Sequence, residues 1–201
     1  MKRFLMLALS LALMGGDLKS QNHYLGFNGG VMLSDISKQA IQAGPILGLN
    51  YCYRLTEHFI LWTGVSYENR SFAKETSSRE TYGWGTLVRN GYIHTDLEYL
   101  SFPVKIEYRT RTKCFFAASL GVIPGILLAS REYTRDFGDY NFSTTPAKEL
   151  SSFDFTVVGN ISMGVNFSDK VLPYVSVGFQ QGLYTVCVPL TIGLIGKLDV
   201  K

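Results

Sequence analysis

From Phe153 to Phe167 the chain alternates with a period of two. One phase reads Phe153, Phe155, Val157, Gly159, Ile161, Met163, Val165 and Phe167. The other reads Ser152, Asp154, Thr156, Val158, Asn160, Ser162, Gly164 and Asn166. Successive side chains of a strand point to opposite faces, so this segment predicts a strand with one apolar face and one small, polar face. The twelve steps from Phe155 to Phe167 cover about 40 Å at ~3.3 Å per residue. At a tilt of about 40° that is roughly 30 Å along a membrane normal, close to the ~25 Å apolar band and aromatic girdles of a barrel that spans lipid.

The same period recurs along the chain. Tyr24–Leu33, Pro45–Tyr53, Phe59–Arg70, Glu98–Arg109, Phe115–Leu128, Val171–Gly182 and Val188–Leu198 read as the other strands, eight in all. In Phe59–Arg70 the phase Phe59, Leu61, Val65, Tyr67 is expected to face outward, and Gly64, Ser66, Glu68, Arg70 inward. In Glu98–Arg109, Leu100, Phe102, Val104, Ile106 and Tyr108 are expected outward. The connections differ in length. Arg54–His58, Thr110–Lys113, Ser168–Lys170 and Leu183–Cys187 are short, Ser34–Ile41 is intermediate, and Ser71–Ile93 and Arg131–Leu150 are long. Short turns on one rim and longer loops on the other are how a small outer-membrane barrel is connected. The fold class expected is therefore all-β: an eight-stranded antiparallel up-and-down transmembrane barrel with short periplasmic turns and longer outer loops. Asn90-Gly91, between Leu87-Val88 and Tyr92-Ile93, reads as the tip of a small hairpin within the first long loop.

Two rival folds are weaker. Cys114–Ser130 and Val171–Gly196 carry no charge, as transmembrane helices would. Yet Val171–Gly196 holds Pro173, Pro189 and several glycines, and its period is two. A soluble lipocalin-like barrel would put apolar residues inside. Here Glu68, Arg70, Lys105, Glu107 and Asp154 share a phase with glycine and serine, so the polar face is the lumen. Pro103, Pro124 and Pro189 fall inside strands, where bulges or strand ends are expected.

Residues 1–20 read as a secretory signal, with cleavage near Ser20/Gln21, and residues 21–201 as the barrel domain. Lys2 and Arg3 precede the apolar stretch Phe4–Met14, and Gly15, Gly16 and Ser20 supply small residues. That stretch is too short to span a bilayer as a helix, which takes about 20 residues. Of the 19 basic and 16 acidic residues, the leader holds Lys2, Arg3, Lys19 and Asp17, so the remainder is near neutral at +1. No nucleic-acid partner is expected from such a balance. Cys52, Cys114 and Cys187 match no zinc or redox spacing. They read as small apolar side chains, with a disulfide between two of them left open.

Candidate chemistry is sparse. His23 and His58 are expected at the periplasmic rim and His94 at the outer rim, so no metal site and no cofactor are expected. His94-Thr95-Asp96 puts an imidazole and a carboxylate on one face of a strand, but no nucleophile elbow accompanies it. Glu68, Arg70, Lys105, Glu107, Arg109 and Asp154 form an expected luminal polar network, a salt-bridged plug in preference to an ion path, because unpaired charge in a narrow lumen is costly. Tyr133, Arg135, Phe137, Tyr140 and Phe142 mark Arg131–Leu150 as a candidate partner loop.

Several segments resemble the PorT-like outer-membrane β-barrel family of the Bacteroidota. Tyr24-Leu-Gly-Phe-Asn-Gly-Gly-Val31 and Ala43-Gly-Pro-Ile-Leu-Gly-Leu-Asn-Tyr51 match its first two strands. Leu97-Glu-Tyr-Leu-Ser-Phe-Pro-Val-Lys-Ile-Glu-Tyr108 resembles its "LEYLxIPLLLKY" strand, and Ala118-Ser-Leu-Gly-Val-Ile-Pro-Gly125 follows as in the family. The resemblance implies a barrel in the outer membrane, in a family named for a member needed for protein secretion. The expected partners are outer-membrane lipid and an envelope protein met through the outer loops. The expected role is structural or interactive, not enzymatic. A small-solute channel and a lipid-modifying enzyme are the alternatives. The protein is expected to fractionate with the outer membrane and to migrate differently on gels before and after heating. Recovery as a soluble periplasmic protein would contradict the assignment of faces.

Overall fold

The computed structural model describes residues 23–34, 41–82, 85–136, 151–166, 171–183 and 185–198; for 73–92 and 133–136 it describes the backbone and its pairing. The expected leader, residues 1–20, lies outside the described residues. Every regular element described is a strand: β1 (His23–Ser34), β2 (Gln42–Arg54), β3 (Phe59–Tyr82), β4 (Gly85–Ser101), β5 (Val104–Arg109), β6 (Cys114–Asp136), β7 (Phe153–Val165), β8 (Val171–Gln181) and β9 (Val186–Lys197). Neighbours pair antiparallel around a ring that closes where β1 meets β9, from Tyr24↔Lys197 to Ser34↔Cys187. β4 and β5 both lie between β3 and β6, and the register with each carries unshifted across the break from Ser101 to Val104, so together they make a single stave. The barrel is thus closed and eight-stranded, as the alternation implied.

Proline explains the break in that stave. Phe102 donates its N–H to Pro124 O at 2.8 Å, but Pro124 has no N–H to return. One position on, Pro103 withholds the bond it would give to β3. On the far side, Pro189 falls in a gap of the β8–β9 ladder, between Val177↔Leu190 and Gln180↔Cys187. A strand end thus falls at Pro103, as expected, whereas β6 and β9 run on through Pro124 and Pro189 with neither a bulge nor an end, because each proline forfeits bonds on one side while its strand stays paired on the other. A true bulge lies further out, where Glu98 pairs Ala129 but Tyr99 pairs Leu127, leaving Leu128 extra.

The faces divide as the alternation implied. Phe27, Leu49, Ile106, Leu120, Ile161 and Ile192 are exposed on the outer wall, whereas Glu68, Arg70, Glu107 and Asp154 are buried inside. So narrow a barrel needs glycine on its inner phase. A Cβ on Gly30 would stand 1.9 Å from Leu190 O, and one on Gly64 2.2 Å from Leu49 O. The interior packs in two apolar groups. Tyr24, Cys52, Ile60, Trp62, Phe115, Leu172 and Ile195 fill the periplasmic half, and Met32, Ile46 and Cys187 the outer half. All three cysteines are free thiols. Cys52 and Cys187 are buried as expected, whereas Cys114 is exposed at the start of β6.

The long connections differ from expectation. Most of Ser71–Ile93 is strand, since β3 and β4 pair from Ser71↔Asp96 out to Tyr82↔Gly85. Asn90-Gly91 is not a hairpin tip; Asn90 lies opposite Ser77 and Gly91 opposite Thr76. The reason is register. The pairing Ser66↔Ser101 is carried outward unshifted to Tyr82↔Gly85. Turning at Asn90-Gly91 instead would require slipping the whole ladder. Likewise Arg131–Asp136, expected as loop, continues β6 against β4.

A charge on the lipid face should be costly in proportion to its depth. Ile161→Arg, mid-strand on the outer wall, is expected to destabilise the barrel by about 2–4 kcal/mol, and Val165→Arg, at the rim, by about 0–1 kcal/mol. Urea unfolding in phospholipid bilayers checks this. Equal costs would mean that the apolar band is misplaced.

Candidate functional site

The six expected luminal charges do not form one network. They separate into an outer knot and a periplasmic pair. β3 brings Glu68 and Arg70 to the same inner face two residues apart, and β7 brings Asp154 across the lumen. Arg70 Nη2 lies 2.5 Å from Glu68 Oε2, and Arg70 Nη1 lies 2.7 Å from Asp154 Oδ2. Arg70 Nη1 also donates to Thr156 Oγ1 at 2.8 Å, and that hydroxyl donates to Asp154 Oδ2 at 2.9 Å. Ser66 Oγ donates to the other Glu68 oxygen at 3.1 Å. The guanidinium carbon sits 4.9 Å from the centre of the Tyr99 ring, a cation–π arrangement. Asp154 Oδ1 accepts from Leu183 N at 3.1 Å, tying the knot to the turn between β8 and β9. A Cβ on Gly182 in that turn would stand 2.9 Å from Asp154 Oδ2 and 3.3 Å from Arg70 Nη1, so glycine permits the close approach.

Nearer the periplasm, Arg109 binds Glu107 at 2.6 Å and lies 4.5 Å from the centre of the Phe115 ring. Lys105 stands apart from both groups, its Nζ 5.3 Å from the centre of the Trp62 ring. Between knot and pair lies a polar cavity of about 50 Å³, with Glu68, Asn50, Asn160, Gln180 and Lys105 among its walls. Asn160 Oδ1, Gln180 Oε1 and Trp62 Nε1 are buried with no protein partner. Such a space accommodates a few ordered waters, each needing roughly 10–15 Å³ and two to four polar partners. Apolar side chains of both interior groups, Trp62 and Ile46, also line this cavity. Sequence reasoning missed the parts played by Thr156, Ser66, Tyr99 and Trp62. All four lie on inner phases, so the alternation placed them in the lumen, but nothing local indicated their partners.

At the outer rim the His94-Thr95-Asp96 segment lies in β4. Asp96 Oδ1 accepts from Ser71 Oγ at 2.6 Å, its neighbour across the β3–β4 ladder. His94 Nδ1 lies 2.6 Å from Gln42 Nε2. The serine hydroxyl thus donates to a carboxylate. His23 and His58 are at the other end, His23 Nδ1 on the Tyr51 hydroxyl and His58 Nδ1 3.1 Å from Arg109 O. The histidines are therefore not brought together. Tyr133 and Arg135 sit in β6 opposite His94 and Tyr92. Phe137, Tyr140 and Phe142 lie outside the described residues.

The sequence profile of the outer membrane protein beta-barrel domain matches residues 15–186. The chain belongs to that family. Among solved structures the chain is similar, at low identity, to two outer-membrane proteins. The outer membrane protein OprG from Pseudomonas aeruginosa is 13% identical, with TM-score 0.50, over 89% of this chain and 97% of that one. Ail, the attachment invasion locus protein of Yersinia pestis, is 11% identical, with TM-score 0.49, over 87% and 97%. No curated protein matches the sequence. In this outer-membrane barrel, the side chains on the outer wall meet lipid, and the polar knot is an interior device.

Breaking a buried ion pair from one side leaves charge uncompensated, at a cost of about 3–5 kcal/mol. Arg70→Leu is expected to destabilise the barrel by that amount. Arg111→Leu removes an exposed pair with Glu57, side chains 53% and 69% accessible, and is expected to cost about 0–1 kcal/mol. Chemical unfolding in bilayers distinguishes the two.

Proposed function

We propose that this outer-membrane barrel is a non-enzymatic interaction protein of the cell envelope. Its working part is the sheet formed by the outer ends of β3, β4 and β6. The observation that carries this reading is the length of the β3–β4 ladder beyond the apolar wall. On the outward phase, Tyr67 and Leu100 are followed by Asn69, Ser71, Glu98 and Asp96, with Arg131 Nη2 3.3 Å from Glu98 Oε1. The lipid-facing surface therefore ends near Tyr67. From Ser71↔Asp96 to Tyr82↔Gly85 the ladder runs on for twelve pairs, or about 40 Å of strand. A barrel whose only task was to sit in lipid would need none of it.

The filled lumen supports the same reading, since eight strands leave little open bore and a knot of paired charges occupies the outer half. The PorT-like resemblance in Leu97–Tyr108 and Ala118–Gly125 is consistent with a role accessory to secretion or envelope assembly. The partner is an envelope protein, met at this raised sheet.

Joining Lys74 to Ile93 through a two-residue turn removes most of the sheet and leaves the barrel ladder intact. The shortened protein is expected to remain folded and heat-modifiable, and to lose the envelope proteins that co-purify with the full chain from mild detergent. His94→Ala and Asp96→Ala are expected to leave co-purification unchanged. Loss of the cellular phenotype through either point change, with none from the shortening, would favour an enzyme.

A further inference from the structure

We propose that the free edge of β3 pairs with the same edge of a second copy of this chain, antiparallel, so that two barrels join head to head across facing membranes. This names a partner for the raised sheet and rests on the reading of that sheet as an interaction surface. The first observation is the edge itself. β2 pairs with β3 only from Arg54↔Ile60 to Ile46↔Glu68. β2 still lies beside Asn69, where a Cβ on Gly44 would stand 2.5 Å from Asn69 O, and among the described residues no strand pairs with that side of β3 from Phe72 to Tyr82, while β4 occupies the other side throughout. An unpaired strand edge presents backbone donors and acceptors to any extended chain.

The second observation is the order of residues along that edge. It reads Phe72-Ala-Lys-Glu-Thr-Ser-Ser-Arg-Glu-Thr-Tyr82. Folded onto itself antiparallel about Ser77, it places Lys74 opposite Glu80, Glu75 opposite Arg79, Phe72 opposite Tyr82, and Thr76 opposite Ser78. A two-fold axis repeats each pair, giving four opposite-charge pairs and two aromatic pairs in one isologous contact. Opposite charges and aromatics directly across an antiparallel ladder stabilise it, and like charges destabilise it. Parallel pairing in register would set each charge against its own kind. Within the barrel, β4 places Ile93, Tyr92, Val88 and Leu87 opposite Lys74, Glu75, Arg79 and Glu80, so no charged residue of β4 stands directly across from these four.

Orientation follows from chain direction. β3 runs outward from its own membrane, so an antiparallel partner strand runs outward from a membrane facing it. The contact therefore joins opposed surfaces rather than neighbours in one bilayer. One such contact is weak, and many copies acting together hold two surfaces.

A charge exchange tests this. Full-length protein is reconstituted into two populations of phosphatidylcholine vesicles carrying different dyes, and folding of every variant is checked by heat-modifiability. Wild-type vesicles are expected to tether to one another. Lys74→Glu vesicles alone and Glu80→Lys vesicles alone are each expected to tether about tenfold less, because both symmetry-related pairs become repulsive. Mixing the two variants restores opposite charges at both pairs and is expected to restore tethering between the populations. Tethering by either single variant as strong as wild type would overturn the proposal, as would a mixture no better than either alone. Wild-type vesicles that never tether would also overturn it. In that case, continued co-purification of an envelope protein would leave the broader reading of the sheet standing.

Discussion

Lipid offers no hydrogen bonds, so every backbone N–H and C=O at membrane depth must find its partner in the chain. The pairing of β1 with β9 meets that demand by removing the two edges an open sheet would have. Most other features follow from this closure. Eight staves make a tight cylinder, which puts glycine on the inner phase at Gly30 and Gly64 because neighbouring backbones leave no room for a Cβ. Closure also determines where proline is tolerated. Pro103, Pro124 and Pro189 each forfeit ladder bonds, and the register continues past all three without a shift.

The interior combines two solutions to one problem. Apolar side chains fill each end, and the charged groups between them either have partners or face the cavity. Arg70 illustrates the first condition. Its guanidinium reaches two carboxylates, a hydroxyl and an aromatic face, so that little of its hydrogen-bonding capacity is wasted in a low-dielectric site. Lys105 illustrates the second, since it lines the polar cavity beside the Trp62 ring. Charges in the lumen need not imply transport.

Beyond the membrane the demand for closure lapses, and among the described residues β3, β4 and β6 continue without the other staves. That difference separates the structural part of the molecule from the part available to partners. Inside lipid an exposed strand edge is forbidden; above it, an edge is a template for recognition. The mixed charges of Phe72–Tyr82 suit such an edge, because they discourage indiscriminate pairing while favouring one complementary register.

The sequence by itself determined which segments are strands, which side of each meets lipid, and that the strands close into a barrel. Those properties depend on a two-residue period that each segment carries alone, as in Phe153–Phe167. It also placed Glu68, Arg70 and Asp154 together in the lumen, since inner-phase residues of a narrow barrel must share one space. Only the tertiary structure decided the register between strands, and with it everything that depends on distant pairing. Register divided the six luminal charges into a knot and a pair. It set Asn90-Gly91 inside the β3–β4 ladder instead of at a hairpin tip, and it made strands of Ser71–Tyr82 and Arg131–Asp136 where local composition read as loop. A turn dipeptide states a local preference; a ladder already aligned by the barrel below outweighs it, because moving the turn would break every pair beneath.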